Sequence, residues 1–289
     1  MAVAFTASAC QARADHAESF SAPENEIIQP TVLQPARLTP STPTVVSTPS
    51  GCQQAEGVVE TRWFESELFP KPITVNVYLP PCYDPNSSSE YPLLVLLHGQ
   101  SYTHEQWLDM GLPQAVDQLI NRGEAAPFVV AMPREEYYLQ GFFESKYGNA
   151  LIQGLLPWLS EEFHVCALAD CRAIGGISRG AGWAVLLAFE NLGTFSAVGA
   201  HSIPNAPFSD YRLYYLLGQS PDVQVPRLYV DSGRLDTYHT AALRFAELLE
   251  KYEVPFIWLE PEGTHTNEYW SAHLAEYLAW YARQIAPMP

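Results

Sequence analysis

From about residue 57 onward, short apolar runs alternate with longer amphipathic stretches. Ile73, Val75, Val77 and Leu79 are interleaved with Thr74, Asn76 and Tyr78, the period-two pattern of a half-buried strand. Leu93–Leu97 (LLVLL) and Phe128–Met132 (FVVAM) are unbroken apolar runs, as expected of strands covered on both faces. Ala173–Ile177, Ala197–Ala200, Leu228–Val230 and Phe256–Leu259 continue the series. Between them, Ala150–Phe163, Ala181–Asn191, Ala241–Tyr252 and Glu268–Gln284 read as amphipathic helices. Strand and helix alternating at this interval predict an α/β domain with a mainly parallel central sheet flanked by helices. There is no internal repeat, and one domain spanning residues 55–289 accommodates every element.

The first fifty residues break the pattern. They hold no Gly, Trp or Tyr, six Pro and twelve Ser or Thr, whereas all seven Trp and sixteen Tyr come later. Such a segment lacks the apolar surface to offset its ordering entropy, so residues 11–54 are expected to form a largely disordered linker. In Met1–Cys10, the small residues Ala7, Ser8 and Ala9 precede a cysteine, as at the lipidation site of bacterial lipoproteins. Residues 1–10 therefore read as the remnant of a signal or lipoprotein segment, with a lipid anchor at Cys10.

Charge and cysteine usage narrow the compartment and the partners. Fifteen basic and 32 acidic residues leave a formal charge of −17, and no basic patch is visible, which argues against nucleic acid as a partner. No apolar run reaches the length of about 18 residues that a membrane span needs. Setting Cys10 aside, four cysteines remain that can pair locally as Cys52–Cys82 and Cys166–Cys171. Paired cysteines belong to an oxidising compartment, so a secreted or cell-surface location is expected.

The candidate chemistry begins where the strand Ala173–Ile177 runs into Gly176-Ile177-Ser178-Arg179-Gly180 and then a helix. This is G-x-S-x-G at a strand-to-helix turn, where a sharp bend exposes a serine hydroxyl above the sheet. Asp236 follows the strand Leu228–Val230, and His265 follows Phe256–Leu259. An imidazole placed to take the serine proton, with a carboxylate to hold its tautomer, makes a nucleophilic triad of Ser178, Asp236 and His265. Asp231, nearer the strand end, competes with Asp236 for the acid role. His98-Gly99-Gln100-Ser101 follows the strand Leu93–Leu97, and the backbone N–H groups of Gln100 and Arg179 are the candidate oxyanion hole. His98 itself reads as a structural hydrogen-bonding residue beneath that loop.

At these residues the chain resembles the esterase D-like α/β-hydrolases, which include feruloyl and acetylxylan esterases, enterobactin esterases and mycolyltransferases. The resemblance is carried by Val77-Tyr78-Leu79-Pro80-Pro81 with Tyr83-Asp84, by Leu96-Leu97-His98-Gly99, and by Gly176 to Gly180 with Gly182-Trp183. Gly233 with Asp236, and Gly263, His265, Tyr269 and Trp270, complete it. It implies an α/β-hydrolase fold and cleavage of carboxylic esters by the triad, without metal or organic cofactor. The chain departs from the family at Gln100-Ser101, Cys82, Thr264 and Thr266-Asn267, departures that bear on acyl preference.

The implied activity is an esterase acting on acyl esters of carbohydrates or phenolic acids. Siderophore trilactone hydrolysis and acyl transfer use the same triad, and a non-catalytic carbohydrate-binding module on this fold is the alternative of another class. The scattered histidines have no zinc-ligand spacing. Glu135 and Glu136, adjacent in sequence, read as a solvated loop. The aromatics Tyr137, Tyr138, Phe142, Phe143 and Tyr147 fit equally a roof over the active site or core packing. Trp183, Tyr137 and Trp270 are candidate substrate contacts, the two tryptophans reading first as packing residues beside the triad.

Overall fold

The computed structural model describes residues 52–219 and 223–285. The expectations for residues 1–10 and for the linker up to residue 51 lie outside the described residues.

Eight strands form a single sheet in the order β1-β2-β4-β3-β5-β6-β7-β8. They are β1 (Val58–Phe64), β2 (Ile73–Leu79), β3 (Leu93–Leu97), β4 (Val129–Pro133), β5 (Arg172–Ile177), β6 (Ala197–His201), β7 (Arg227–Asp231) and β8 (Phe256–Leu259). The β1–β2 and β2–β4 pairs are antiparallel, and every other pair is parallel. The helices are α1 (Gln106–Asp109), α2 (Leu112–Asn121), α3 (Tyr147–Ala150), α4 (Leu156–Glu162), α5 (Arg179–Glu190), α6 (Asp210–Gln219), α7 (His239–Lys251) and α8 (Asn267–Gln284). A π-helical turn, Leu151–Leu155, joins α3 to α4, so the helix expected over 150–163 is one continuous stretch with a local widening.

The unbroken apolar strands follow from burial on both faces. Leu93, Val95 and Leu97 enter a core with Val185, Phe189 and Leu159, whereas Leu94 and Leu96 enter a second core with Val116, Trp270 and Leu278. Alternate residues of one strand serve opposite cores, so no polar position survives between them.

Besides the one-turn helix α1, three elements escaped the sequence pattern. Strand β1 lies at the sheet edge with Val58 and Trp63 exposed, which blurs its alternation. Helix α2 announces itself through Gly111 in the left-handed region (φ 86°) and Pro113 in its first turn, a start signal rather than a periodic one. Helix α6 carries exposed Tyr211, Tyr214 and Tyr215 among its apolar positions, which hides its buried stripe.

Both local cysteine pairs are bonded, Cys52 to Cys82 and Cys166 to Cys171, with Cα separations of 5.9 and 6.1 Å. The first ties the start of the described chain to the turn after β2.

Candidate active site

Ser178 sits between β5 and α5 with φ 54° and ψ −116°, a conformation costly for a residue with a Cβ. Its surroundings force that turn. A Cβ on Gly176 would collide with the backbone of Gly180, and one on Gly180 with the carbonyls of Leu97 and His98. Helix, elbow and neighbouring strand can approach this closely only through those two glycines. The Ser178 N–H donates to the His201 carbonyl at 2.8 Å, and its own carbonyl accepts from Gly182 N–H at 3.2 Å. The side chain stands at the N-terminus of a twelve-residue helix whose first amides have no intrahelical partner.

Asp236 and His265 meet although 29 residues separate them. Their two loops are stitched together by backbone bonds, Arg234 N–H to the Pro261 carbonyl and Leu235 N–H to the Gly263 carbonyl, each 2.9 Å. His265 Nδ1 donates to both Asp236 oxygens, at 2.9 and 3.1 Å. A carboxylate only accepts here, so Nδ1 carries the proton, which leaves Nε2 as the ring nitrogen that can act as a base. Burial alone would push the Asp236 carboxyl up. Hydrogen bonds from His265, from the Tyr238 N–H and from the Ser202 hydroxyl outweigh it and hold the group below its ordinary range.

Asp231 is engaged elsewhere. It is buried at the end of β7, where its Oδ2 accepts the hydroxyls of Tyr269 and Tyr277, both at 2.7 Å. Its Oδ1 takes the Nδ1 proton of His201 at 2.7 Å, and His201 Nε2 faces the Tyr281 hydroxyl at 2.9 Å. Burial, followed by the Asp231 charge, pushes the Tyr277 hydroxyl well above its ordinary range, so it stays a donor. This network anchors α8 to β6 and β7.

Ser202 is a residue that the sequence reading missed. Fully buried, with φ 54°, it receives the Trp270 indole N–H at 3.0 Å and supports the Asp236 carboxylate. Its signal in sequence was only its place after the strand next to the elbow.

In the candidate oxyanion loop, Gly99 N–H is taken by Gln106 Oε1 at 2.8 Å, and Gln106 Nε2 donates to Asn267 Oδ1 at 2.9 Å. The next residue, Gln100, is exposed. His98 is structural, as expected: its Nδ1 lies 2.8 Å from the Gly99 carbonyl and its Nε2 accepts the Glu135 N–H at 2.8 Å. Accepting at Nε2 makes it neutral with the proton on Nδ1, and burial lowers its pKa in the same sense.

Glu135 overturns the solvated-loop expectation. It is 4% exposed and forms a two-pronged ion pair with Arg179, Nε to Oε2 at 2.8 Å and Nη2 to Oε1 at 2.5 Å. Arg179 Nη2 also donates to the Gln140 carbonyl, and the guanidinium lies 4.9 Å from the Phe142 ring centre. The residue after the serine therefore clamps the loop that follows β4. Glu136, by contrast, pairs with Arg134 at the surface. Glu135→Ala is expected to cost about 1–3 kcal/mol by removing the carboxylate from a partly buried guanidinium that keeps only the Gln140 carbonyl. It should lower the urea midpoint at constant m, with Glu135→Gln losing less; an unchanged midpoint would deny the clamp any role in stability.

The aromatic residues after β4 differ in burial. Phe142 packs edge-to-face on Trp183 at 4.9 Å and over Gly182, whereas Phe143 and Tyr138 are exposed. Tyr137 stacks on Phe69 at 5.3 Å, beside Lys71, Pro72 and Arg134. Trp183 is buried against Tyr147 and Phe142, and its indole N–H has no partner among the described residues. Trp270 is buried too, its ring edge-to-face with His265 at 4.9 Å.

Ser178, Asp236 and His265 thus follow the C-terminal ends of β5, β7 and β8 of one parallel sheet. Fold and site together define an α/β-hydrolase. A family model described as "Putative esterase" matches residues 66–281, and the chain belongs to that esterase family of carboxylic ester hydrolases. Protein YjcH of Bacillus subtilis is 24% identical over 234 residues, covering 74% of this chain and 93% of YjcH. A solved ferulic acid esterase superposes with a TM-score of 0.71 at 24% identity, over 80% of this chain and 99% of that one. The feruloyl esterase module of Clostridium thermocellum, solved as an S954A mutant complexed with sinapinate, superposes with a TM-score of 0.69 at 16% identity, over 81% and 91%.

Proposed function

We propose that this chain is a serine carboxylesterase acting on acyl esters of carbohydrates or phenolic acids. The observation that carries the mechanism is the Asp236–His265 pair, which fixes the imidazole proton on Nδ1. Ser178 Oγ attacks the ester carbonyl carbon while its proton passes to His265 Nε2. The oxyanion forms against the N–H groups of Gln100 and Arg179, the latter at the helix N-terminus. Collapse breaks the bond to the alcohol, which leaves with the proton from His265, and water repeats the sequence on the acyl-enzyme. The carbohydrate or phenolic choice is supported by the solved feruloyl esterases of the same fold. The two disulfides support an extracytoplasmic location, with Cys10 as the candidate anchor.

The test is turnover of p-nitrophenyl acetate and methyl ferulate. Both should be hydrolysed above a Ser178→Ala control. Acetate turnover without ferulate would remove the phenolic-acyl assignment, and turnover of neither would sink the esterase.

A further inference from the structure

Strand β1 is the outermost strand of the sheet, and among the described residues no strand pairs with its free edge. Its seven residues, Val58-Val59-Glu60-Thr61-Arg62-Trp63-Phe64, run against β2 in unbroken register from Val58–Leu79 to Phe64–Ile73. Such edges are ordinarily blunted by proline, lysine or a bulge. This one has none of these, and Trp63 is 63% exposed.

The neighbouring strands determine which backbone groups face outward. The Arg134 N–H donates to the Thr74 carbonyl at 2.8 Å, so the main-chain groups of Thr74 point to β4. In an antiparallel strand both groups of a residue point to one side, and the side alternates along the chain. Ile73, Val75, Val77 and Leu79 therefore serve β1, whereas Thr74, Asn76 and Tyr78 serve β4. Pro133, which lacks an N–H, accordingly stands opposite Val75. On β1, Val59, Thr61 and Trp63 stand opposite the residues that serve β4, so their N–H and C=O groups face the open edge.

This edge is complementary to itself. When a second copy of β1 runs antiparallel with Thr61 opposite the partner's Thr61, Val59 stands opposite the partner's Trp63. All three outward-facing residues of each strand then enter the ladder. Glu60 meets the partner's Arg62, and Arg62 the partner's Glu60, at positions without ladder bonds, where Cα atoms lie about 4.5 Å apart and side chains come closest. Sliding the strands by two residues would instead oppose Glu60 to the partner's Glu60, or Arg62 to the partner's Arg62. Charge therefore selects the register centred on Thr61.

We propose that two copies of this chain associate through antiparallel β1 strands centred on Thr61, extending the sheet across a twofold axis. One seven-residue strand covers less than the roughly 800 Å² per partner of a standard interface, so the dimer is reversible and forms at micromolar concentration. Strands β2, β4 and β3 separate the edge from β5, which leads into Ser178, so the inference stands apart from the esterase reading.

The experiment is sedimentation velocity of the full chain over roughly 1–200 μM at physiological salt, which screens the −17 charge of each copy beyond about 8 Å. A concentration-dependent equilibrium between monomer and dimer is expected. Glu60→Arg and Arg62→Glu should each raise the dissociation constant at least tenfold, because each sets like charges opposite one another twice across the axis. An equimolar mixture of the two variants should restore a dimer of near-native affinity, since the two altered strands again oppose unlike charges. Both side chains reach solvent, and an unchanged thermal midpoint of each variant would verify its folding. A native chain that stays monomeric throughout would overturn the proposal. Protection of the Thr61 amide from hydrogen exchange in such a monomer would hand the edge to residues 1–51. A dimer that neither substitution weakens, or that the mixture does not restore, would equally overturn it.

Discussion

Ser178→Ala is expected to abolish covalent labelling by a fluorophosphonate and to lower kcat by about 10⁴- to 10⁶-fold, the loss seen when a nucleophile leaves a triad that acts as a unit. Intact mass of the native chain should show a single phosphonyl adduct, absent from the variant. The expectation rests on the strained backbone of Ser178, φ 54° and ψ −116°, held between two glycines that cannot accept a Cβ. A fold does not maintain such strain without compensation elsewhere, and here it falls at the residue between β5 and the N-terminus of α5. His265→Ala should cost about as much, because an unassisted serine is a weak nucleophile. An adduct that persists in Ser178→Ala would move the nucleophile to another residue. No adduct on either chain would place the non-catalytic sugar-binding reading first.

Asp236→Asn and Asp231→Asn are expected to fail in different ways. An amide at 236 can donate to His265 Nδ1 and so favour the tautomer with its proton on Nε2, the wrong one for a base. kcat/KM should fall by about 10⁴-fold while the thermal midpoint changes little. Stability towards acid follows the same carboxylate. Because its hydrogen bonds hold the Asp236 carboxyl below the ordinary range, Asp236 remains charged as the pH falls through the usual carboxylate region. Its contribution to stability is present above the unfolded pKa and is lost only as pH drops through the lower folded value.

At 231 the carboxylate accepts from Tyr269, Tyr277 and His201 together. An amide nitrogen there would face donors, so Asp231→Asn should cost about 2–5 kcal/mol of stability. Activity per folded molecule should fall far less than in Asp236→Asn. The reverse order, with the larger loss of kcat/KM at 231, would transfer the acid role to Asp231.

The buried strands, the α/β class, the G-x-S-x-G turn and the succession of serine, acid and histidine after successive strands were legible in the sequence. Each depends on local order: burial on both faces leaves unbroken apolar runs, and a tight elbow demands glycines at fixed offsets. The two disulfides were legible for the same reason, since each closes within one stretch of chain.

The sequence named Asp236 as the acid with Asp231 as its competitor, but not the partners that separate the two. Asp231 ends β7 and Asp236 follows it, and their difference lies in which side chains 29 to 46 residues away arrive against them. Glu135 looked like a surface charge because its partner, Arg179, is 44 residues distant. Helix α6 was hidden because its exposed tyrosines count as apolar in any one-dimensional pattern. Hydrophobic periodicity records how much of a residue is buried, so the sequence alone determined the buried strands and the places of the candidate loops that follow them. Hydrogen-bond partnership acts through space between distant loops, so the tertiary structure decided which carboxylate meets His265, which charge is clamped and which aromatic face stays open to solvent.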